Sequence, residues 1–272
     1  MGFYLGLLAA SIIATNPLVG RSTPALVTLS ARAIKYASRH PTSGTSTIFA
    51  NTPEDMANWE GMWTRGIQPG QAFDAARTEP AFQDLLDKAA TVQPPLPTPS
   101  AKSRAFVPGC GRGYAVVSLE RAGYAAEGLE ISPTAARAAR DYLSSQGAKA
   151  EVRVGDFFAL PEEGQYSVVF DSTFLCALHP TQREAWAKKT SAILAQDGEL
   201  ITNIFPVRPD GEPDPADGAV GNGPPYALSD RLVTGLLAPH GWRQVSISKV
   251  PEAMRARPGG LGMEFLARWR RQ

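Results

Sequence analysis

Residues 105–114 read Ala-Phe-Val-Pro-Gly-Cys-Gly-Arg-Gly-Tyr, a short apolar run that breaks into three glycines within five positions and then resumes as a helical pattern. A strand that feeds a glycine-rich turn and then a helix opens a βα unit, and open α/β sheets bind ligands outside the carboxyl ends of such strands. The glycines Gly109, Gly111 and Gly113 are spaced G-x-G-x-G. A dinucleotide fingerprint needs its third glycine five places after the first, and Tyr114 occupies that place here.

Working outward from this turn, short β-branched runs alternate with helical ones, which predicts βαβ units and a largely parallel sheet. Strands are expected at Ala105–Val107, Ala125–Leu129, Glu151–Val154, Tyr166–Phe170 and Glu199–Phe205. One intervening helix is well marked. Ser132 is its N-cap, Pro133 its first position and Gly147 its terminator, with Ala135, Ala138, Ala139, Tyr142 and Leu143 on one face. Another, about Thr181 to Leu194, stops before the turn pair Asp197-Gly198. The chain ends differently, with a helix near Ser229–Leu237 and strands Gln244–Val250 and Met263–Trp269, which lack a helix between them and should pair antiparallel at the sheet edge. The expected fold is α/β and Rossmann-like, a seven-stranded mostly parallel sheet with a C-terminal antiparallel hairpin. A proline-rich stretch, Thr91 to Ser103, reads as a surface connector ahead of it.

Two further features sit at the ends of successive strands. Glu130 follows Gly109 by 21 residues, where a carboxylate can accept both ribose hydroxyls. Asp156, in Gly155-Asp156-Phe157-Phe158, is placed to accept from an adenine amino group while Phe157 or Phe158 packs on the ring; its plainer reading is a turn or N-cap aspartate. With the glycine turn, which admits close backbone approach by a ligand lacking bulky phosphate, these features point to a nucleoside such as S-adenosylmethionine.

Composition agrees with a small-molecule role. The chain has 272 residues, 43% hydrophobic and 19% charged, enough for one large domain and too apolar for a disordered one. With 27 basic and 26 acidic side chains, the formal charge of +1 supplies no field suited to nucleic acid or a membrane surface. The two cysteines, Cys110 and Cys176, have neither disulfide-framework nor zinc-ligand spacing, so a reducing compartment fits and no metal is expected. Residues 1–53 hold Arg21, Arg32, Lys35 and Arg39 and no acid. An acid-free run rich in Ser, Thr and Ala has the composition of a mitochondrial transit peptide; a disordered extension or a helix packed on the body fits it too, and a cytoplasmic location is the first expectation. Asn16 and Pro17 interrupt its apolar part, which argues against a membrane span.

From about Trp59 onward the sequence resembles the S-adenosylmethionine-dependent methyltransferases of the thiopurine methyltransferase type, in particular the plant and fungal halide/thiol methyltransferases. The resemblance rests on Trp59-Glu60-Gly61-Met62-Trp63, Val107-Pro108-Gly109-Cys110-Gly111, Gly155-Asp156-Phe157-Phe158, Phe170-Asp171 with Phe174-Leu175-Cys176-Ala177, Arg183 with Ala185-Trp186-Ala187, Asp197-Gly198-Glu199-Leu200-Ile201-Thr202, and Gly223-Pro224-Pro225-Tyr226. It implies that residues 54–272 form the methyltransferase domain, and that Gly109, Gly111, Glu130 and Ile131 hold the cofactor. It further implies that Asp156 and Phe157 hold adenine, that Trp59, Trp63 and a following aromatic wall the pocket, that Asp171 and Phe174 border the reacting centre, and that Tyr226 approaches the nucleophile. Phe73 is the candidate for the following aromatic. Relatives usually carry Trp-Asp soon after Thr-Pro, whereas this chain reaches Phe73-Asp74 only after the extra residues Gly70-Gln71-Ala72.

The expected reaction is in-line transfer of the donor's methyl group to a small soft nucleophile, a thiol or hydrosulfide first and a halide second. Such an acceptor needs no general base. His179 and His240, each beside a proline, read as loop punctuation rather than catalysts, and the cysteines as small apolar fillers. O- or N-methylation of a larger metabolite is the alternative within the class, and a non-catalytic regulator that binds the cofactor is the alternative outside it. Arg255, Arg257, Arg268, Arg270 and Arg271 read as a solvated edge.

Overall fold

The computed structural model describes residues 53–100, 102–161, 164–208, 224–257 and 262–272. The expectations for the N-terminal extension, and Gly223 of the Gly-Pro-Pro-Tyr motif, lie outside these residues. Two helices lead, α1 (Pro53–Thr64) and α2 (Pro80–Asp87). The parallel part then alternates β1 (Arg104–Pro108), α3 (Tyr114–Arg121), β2 (Ala125–Glu130), α4 (Pro133–Ser145), β3 (Glu151–Val154), β4 (Tyr166–Ser172), α5 (Arg183–Ile193) and β5 (Leu194–Val207). The chain closes with α6 (Asp230–Leu237), β6 (Trp242–Lys249) and β7 (Met263–Arg271).

These strands form one seven-stranded sheet in the order β3-β2-β1-β4-β5-β7-β6. The first five are parallel; β7 runs antiparallel to both β5 and β6, so the terminal hairpin adds at the edge with its second strand inside. Order reverses between β1 and β4, which opens a crevice beyond their carboxyl ends. Apolar clusters cover both faces. One holds Phe106, Phe157, Trp186, Trp242 and Trp269, the other Phe82, Leu119, Leu143 and Phe170. Phe82 of α2 lies flat on Phe170 of β4, ring centroids 3.6 Å apart, and so docks the leading segment onto the sheet. The three fully buried tryptophans each donate their indole N–H at 2.8 Å, Trp186 to Asp171, Trp242 to Ser191 and Trp269 to Thr202. A buried indole left unpaired would cost about 1–3 kcal/mol.

Helix α4 forms as its signals predict, with Ser132 Oγ accepting from the Ala135 amide at 3.0 Å. Strand β5 begins five residues earlier than expected. Tyr166 pairs with Leu194 and Val168 with Glu199, so the Asp197-Gly198 pair sits in a wide bulge inside the strand and not ahead of it. The reading of the arginines as a solvated edge is corrected. Arg268 is 3% exposed and, with Arg270, binds Glu199, which is fully buried; the Nη2 of each also donates to a carbonyl, that of Pro94 or Pro95. Arg271 stacks on Trp242 and Arg257 donates to the Phe73 carbonyl. The Arg268 and Arg270 bonds pin the proline-rich connector, whose Leu96 is buried, against β7.

Candidate active site

The crevice is built from the carboxyl ends of β1, β2, β3 and β4. The turn after β1 takes left-handed backbone at Gly109, Gly111 and Gly113, with φ of 54°, 53° and 81°. The three bare positions serve different neighbours. A Cβ at Gly109 would lie 2.6 Å from Phe174 and one at Gly113 would lie 2.7 Å from Leu143 of α4, so those two admit a ring and a helix. At Gly111 the nearest neighbour would be Trp63, 3.8 Å away, which leaves that face open to a ligand. The turn is therefore sandwiched between two rings, Phe174 from beyond β4 and Trp63 from α1.

Trp63 is buried and Trp59 half-buried, and Phe73 meets both edge to face, with ring centroids 5.6 and 5.5 Å apart. The candidate aromatic thus joins the pair despite the extra residues before it. Phe174 in turn packs edge-on against Phe157 at 5.0 Å. Phe157 is 2% exposed and lies between Phe106 and Phe174 in the core, so it supports the site from beneath, and only Phe158 of the two keeps an accessible ring.

Glu130 ends β2 at 6% exposure. Its carboxylate accepts the amides of Gly111 at 2.9 Å, Ile131 at 2.9 Å and Ser132 at 3.2 Å. Burial pushes its pKa up, and these three bonds pull it back toward the charged form. A carboxylate offers about four acceptor positions, so capacity for a further donor remains. Glu60 of α1 reaches the start of α4 next to it, accepting from the Ser132 and Thr134 hydroxyls at 2.5 Å each and from the Thr134 amide at 3.1 Å. These bonds hold its pKa low and tie the tryptophan-bearing helix to the Glu130 turn. Asp156 has the plainer of its two predicted roles in place, capping the turn Phe157–Ala159 by accepting from the Phe158 amide at 3.0 Å.

Asp171, 2% exposed, binds the amides of Phe174 and Leu175 at 3.2 and 3.1 Å and the Trp186 indole at 2.8 Å. Burial raises it to about 6. Its bonds hold the backbone that presents Phe174 across Gly109. Thr173 between them sits at φ 63°, a left-handed conformation that costs a β-branched residue on the order of 1–3 kcal/mol. Tyr226 is half-buried; its amide donates to the Cys176 carbonyl at 2.7 Å and its ring meets His179 edge-on at 5.7 Å. That places it along the segment that follows Phe174. His179 itself caps the turn Pro180–Gln182. Burial raises Cys176 to about 12 and pushes the Cys110 thiol up as well, so neither is a thiolate, and Cys110 fills the space against Gly128, where a Cβ would lie 2.7 Å from its sulfur.

Sequence reasoning named the wall, the turn and the carboxylates, and missed Asp74, Arg112 and Tyr114. Arg112 stands inside the glycine run and donates to Asp74 at 2.7 Å and to the Ile67 carbonyl at 2.8 Å. The signal was an arginine where that run needs only glycine.

A glycine turn open at Gly111, a strand-end carboxylate with a vacant acceptor position and a rim of aromatic rings fit a nucleoside carrying a sulfonium, on the strand order of the Rossmann-like methyltransferases. Residues 54–263 match the family model described as thiopurine S-methyltransferase. The chain is 35% identical over 219 residues to thiocyanate methyltransferase 1 of Brassica oleracea, covering 80% of this chain and 86% of that one. It is 33% identical to the probable thiol methyltransferase 2 of Arabidopsis thaliana, covering 78% and 84%. Its fold is similar to that of the 1,6-didemethyltoxoflavin N1-methyltransferase of Burkholderia thailandensis, solved with bound S-adenosylhomocysteine, at a TM-score of 0.59 and 14% identity over 85% and 94% of the two chains. The chain belongs to the thiopurine S-methyltransferase family and is an S-adenosylmethionine-dependent methyltransferase. Among the described residues, no helix is long and apolar enough to cross a membrane.

Proposed function

We propose that the acceptor is a small soft sulfur nucleophile, a thiol or hydrosulfide, with halide as a weaker one. The observation that carries this reading is the aromatic enclosure of the glycine turn by Trp59, Trp63, Phe73 and Phe174. It is supported by the names of the relatives, which act on thiocyanate and thiols. When bound, S-adenosylmethionine supplies an electrophilic methyl carbon on a sulfonium. In the proposed site Gly111, Glu130 and Ile131 bind the donor, with Asp156 and Phe158 at its adenine end. The rings exclude water and face the cation, each such contact being worth about 0.5–2 kcal/mol.

A soft anion attacks without proton removal at the reacting centre, so alignment and desolvation suffice; together they supply on the order of 7–11 kcal/mol. Asp171 positions Phe174 through its backbone bonds, and Tyr226 lines the acceptor's approach. The test is to incubate the purified protein with the donor and, separately, hydrosulfide, a small aryl thiol, iodide and a phenol, measuring S-adenosylhomocysteine and the methylated product. Turnover is expected in the order sulfur, iodide, phenol. Turnover of the phenol alone would overturn the reading in favour of a larger oxygen or nitrogen acceptor. Tyr226→Phe is expected to lower kcat/KM for the acceptor more than donor affinity, and equal losses would move Tyr226 out of the acceptor site.

A further inference from the structure

We propose that Asp74 is a positioning residue which, through Arg112, locks the aromatic cover onto the glycine turn and thereby sets donor affinity. The segment after α1 carries Phe73, whose ring completes the wall, and the next residue turns its carboxylate inward. Asp74's side chain is 1% exposed and that of Arg112 15%. Oδ2 accepts from Arg112 Nε at 2.7 Å, while Oδ1 accepts from the Tyr114 hydroxyl at 3.0 Å and the Ala76 amide at 2.8 Å. Arg112 spends a second N–H on the Ile67 carbonyl at 2.8 Å, and its guanidinium carbon lies 5.4 Å from the centroid of the Trp63 ring.

One side chain of the glycine turn therefore holds both ends of the covering segment, residues 67 and 74, and stacks on the wall tryptophan. The turn's own backbone holds Glu130 through Gly111. Arg112 lies between Gly111 and Gly113, so a movement of the cover and a movement of the donor-facing backbone are the same movement. A buried pair of this kind is costly to break from one side, because the remaining charge is left desolvated. Arg257 steadies the far side of the same segment by donating to the Phe73 carbonyl at 3.0 and 2.7 Å. The alanines at 72 and 76 take φ of 51° and 57°, so the turn around Phe73-Asp74 is held in a conformation that its residue types do not favour by themselves.

The inference rests on the glycine turn being the donor site, and its test separates the two. Asp74→Asn keeps an oxygen for Tyr114 and Ala76 and loses the ion pair with Arg112; Arg112→Lys keeps the charge and loses the fork. Hydrogen exchange of residues 65–79 in the ligand-free proteins reads the clasp without any donor, and calorimetry with S-adenosylhomocysteine reads the site. We expect Asp74→Asn to speed exchange across 65–79 and to weaken S-adenosylhomocysteine roughly 10- to 100-fold. The KM for the donor should rise in step while kcat at saturation stays within about threefold. Arg112→Lys should fall between Asp74→Asn and wild type. Arg112→Gln alone should match Asp74→Asn, and the variant carrying both should lose little more than either, as for two halves of one interaction. Unchanged exchange in either single variant, additive losses in the double one, or a fall in kcat with donor affinity intact would each overturn the proposal. If Asp74→Asn does not fold, Arg112→Lys carries the same readouts. Failure of wild type to bind S-adenosylhomocysteine would instead remove the donor site, while the exchange comparison would still decide the clasp.

Discussion

Around the glycine turn the acids are satisfied several times over, the buried Glu130 and Asp74 and the half-buried Glu60 alike. Glu130 takes three amides, Glu60 takes two hydroxyls and an amide, and Asp74 takes a guanidinium, a phenol and an amide. Along the carboxyl half of the sheet, where β5 meets β7, the pattern inverts. Asn203 is 4% exposed with neither atom of its amide in a hydrogen bond, and Glu264, 3% exposed, leaves Oε1 without one. Burial pushes the Glu264 carboxyl up, and the neighbouring Asn203 side chain opposes this. In a low-dielectric interior a satisfied network rigidifies its surroundings, whereas each orphaned group costs about 1–3 kcal/mol. The glycine-turn side is thus organised before any ligand arrives, and the β5–β7 corner holds unused polar capacity.

The sharpest way to break this contrast is at Glu130. Glu130→Ala strands three amides at once, so it is expected to cost on the order of 3–5 kcal/mol of stability and to weaken the donor by about 100-fold or more. Denaturant titration and calorimetry on one preparation would measure both. A variant with full stability and weak donor binding would mean that Glu130 serves the ligand only, and that the network is not what shapes the turn.

Gly109→Ala tests the aromatic half of the same side. Left-handed backbone costs an alanine about 1–2 kcal/mol, and its Cβ would collide with Phe174 at 2.6 Å. We expect a loss of about 2–3 kcal/mol together with a displaced Phe174, visible as faster methyl-donor release. Gly111→Ala pays the same backbone term without the collision, so a larger stability loss at Gly111 than at Gly109 would show that the Phe174 contact is slack.

Asp171 is satisfied as well, yet its pKa lies near 6 against an ordinary 3.8 because burial outweighs its three bonds. The folded chain keeps this proton at a pH where the unfolded chain releases it. Its contribution to stability is therefore complete below about pH 4 and lost as the pH rises through about 6. The stability difference between wild type and Asp171→Asn should accordingly shrink by about 2 kcal/mol between pH 4.5 and 7, at 1.36 kcal/mol per pK unit. A difference that grows over this range would mean that the carboxylate is stabilised in the fold after all.

Much of this was legible in the sequence because the local signals agree with the global fold. The apolar runs of β1 to β4, the Ser132-Pro133 start of α4 and the G-x-G-x-G turn each need only neighbouring residues to be read. What escaped depends on pairing across the sheet. Leu194–Gly198 contains an Asp-Gly that reads as a turn, and only its register against Tyr166 and Val168 shows it to be a bulge. Arg268 and Arg270 repeat at period two on one face of a strand, a pattern that normally marks solvent; Glu199 on β5 and the Pro94 and Pro95 carbonyls bury them instead. Asp74 and Arg112 lie 38 residues apart and share no local pattern. In the site, residue types were readable and partners were not. Glu130 was expected to meet a ribose, and its amide partners could be found only in three dimensions.

The smallest predicted effect bears on the unsatisfied corner. Asn203→Leu replaces a carboxamide that has no hydrogen bond with an apolar side chain of similar size, on a strand whose neighbour across the β5–β7 pair is Leu266. Removing an unsatisfied polar group deletes a desolvation cost and no bond, so stability should rise by about 1 kcal/mol, which for a domain of this size is roughly 2–4 °C in Tm. The same exchange at a satisfied position has the opposite sign. Trp186→Phe removes one bond from Asp171 and also shrinks a fully buried ring, so it should cost at least about 1–3 kcal/mol. Opposite signs for Asn203→Leu and Trp186→Phe in one thermal series are the outcome expected if the Asn203 corner lacks partners and the Asp171 cluster has them. A loss at Asn203 equal to that at Trp186 would mean that ordered water completes the Asn203–Glu264 corner, and the contrast between the two regions would then be one of solvent against protein partners.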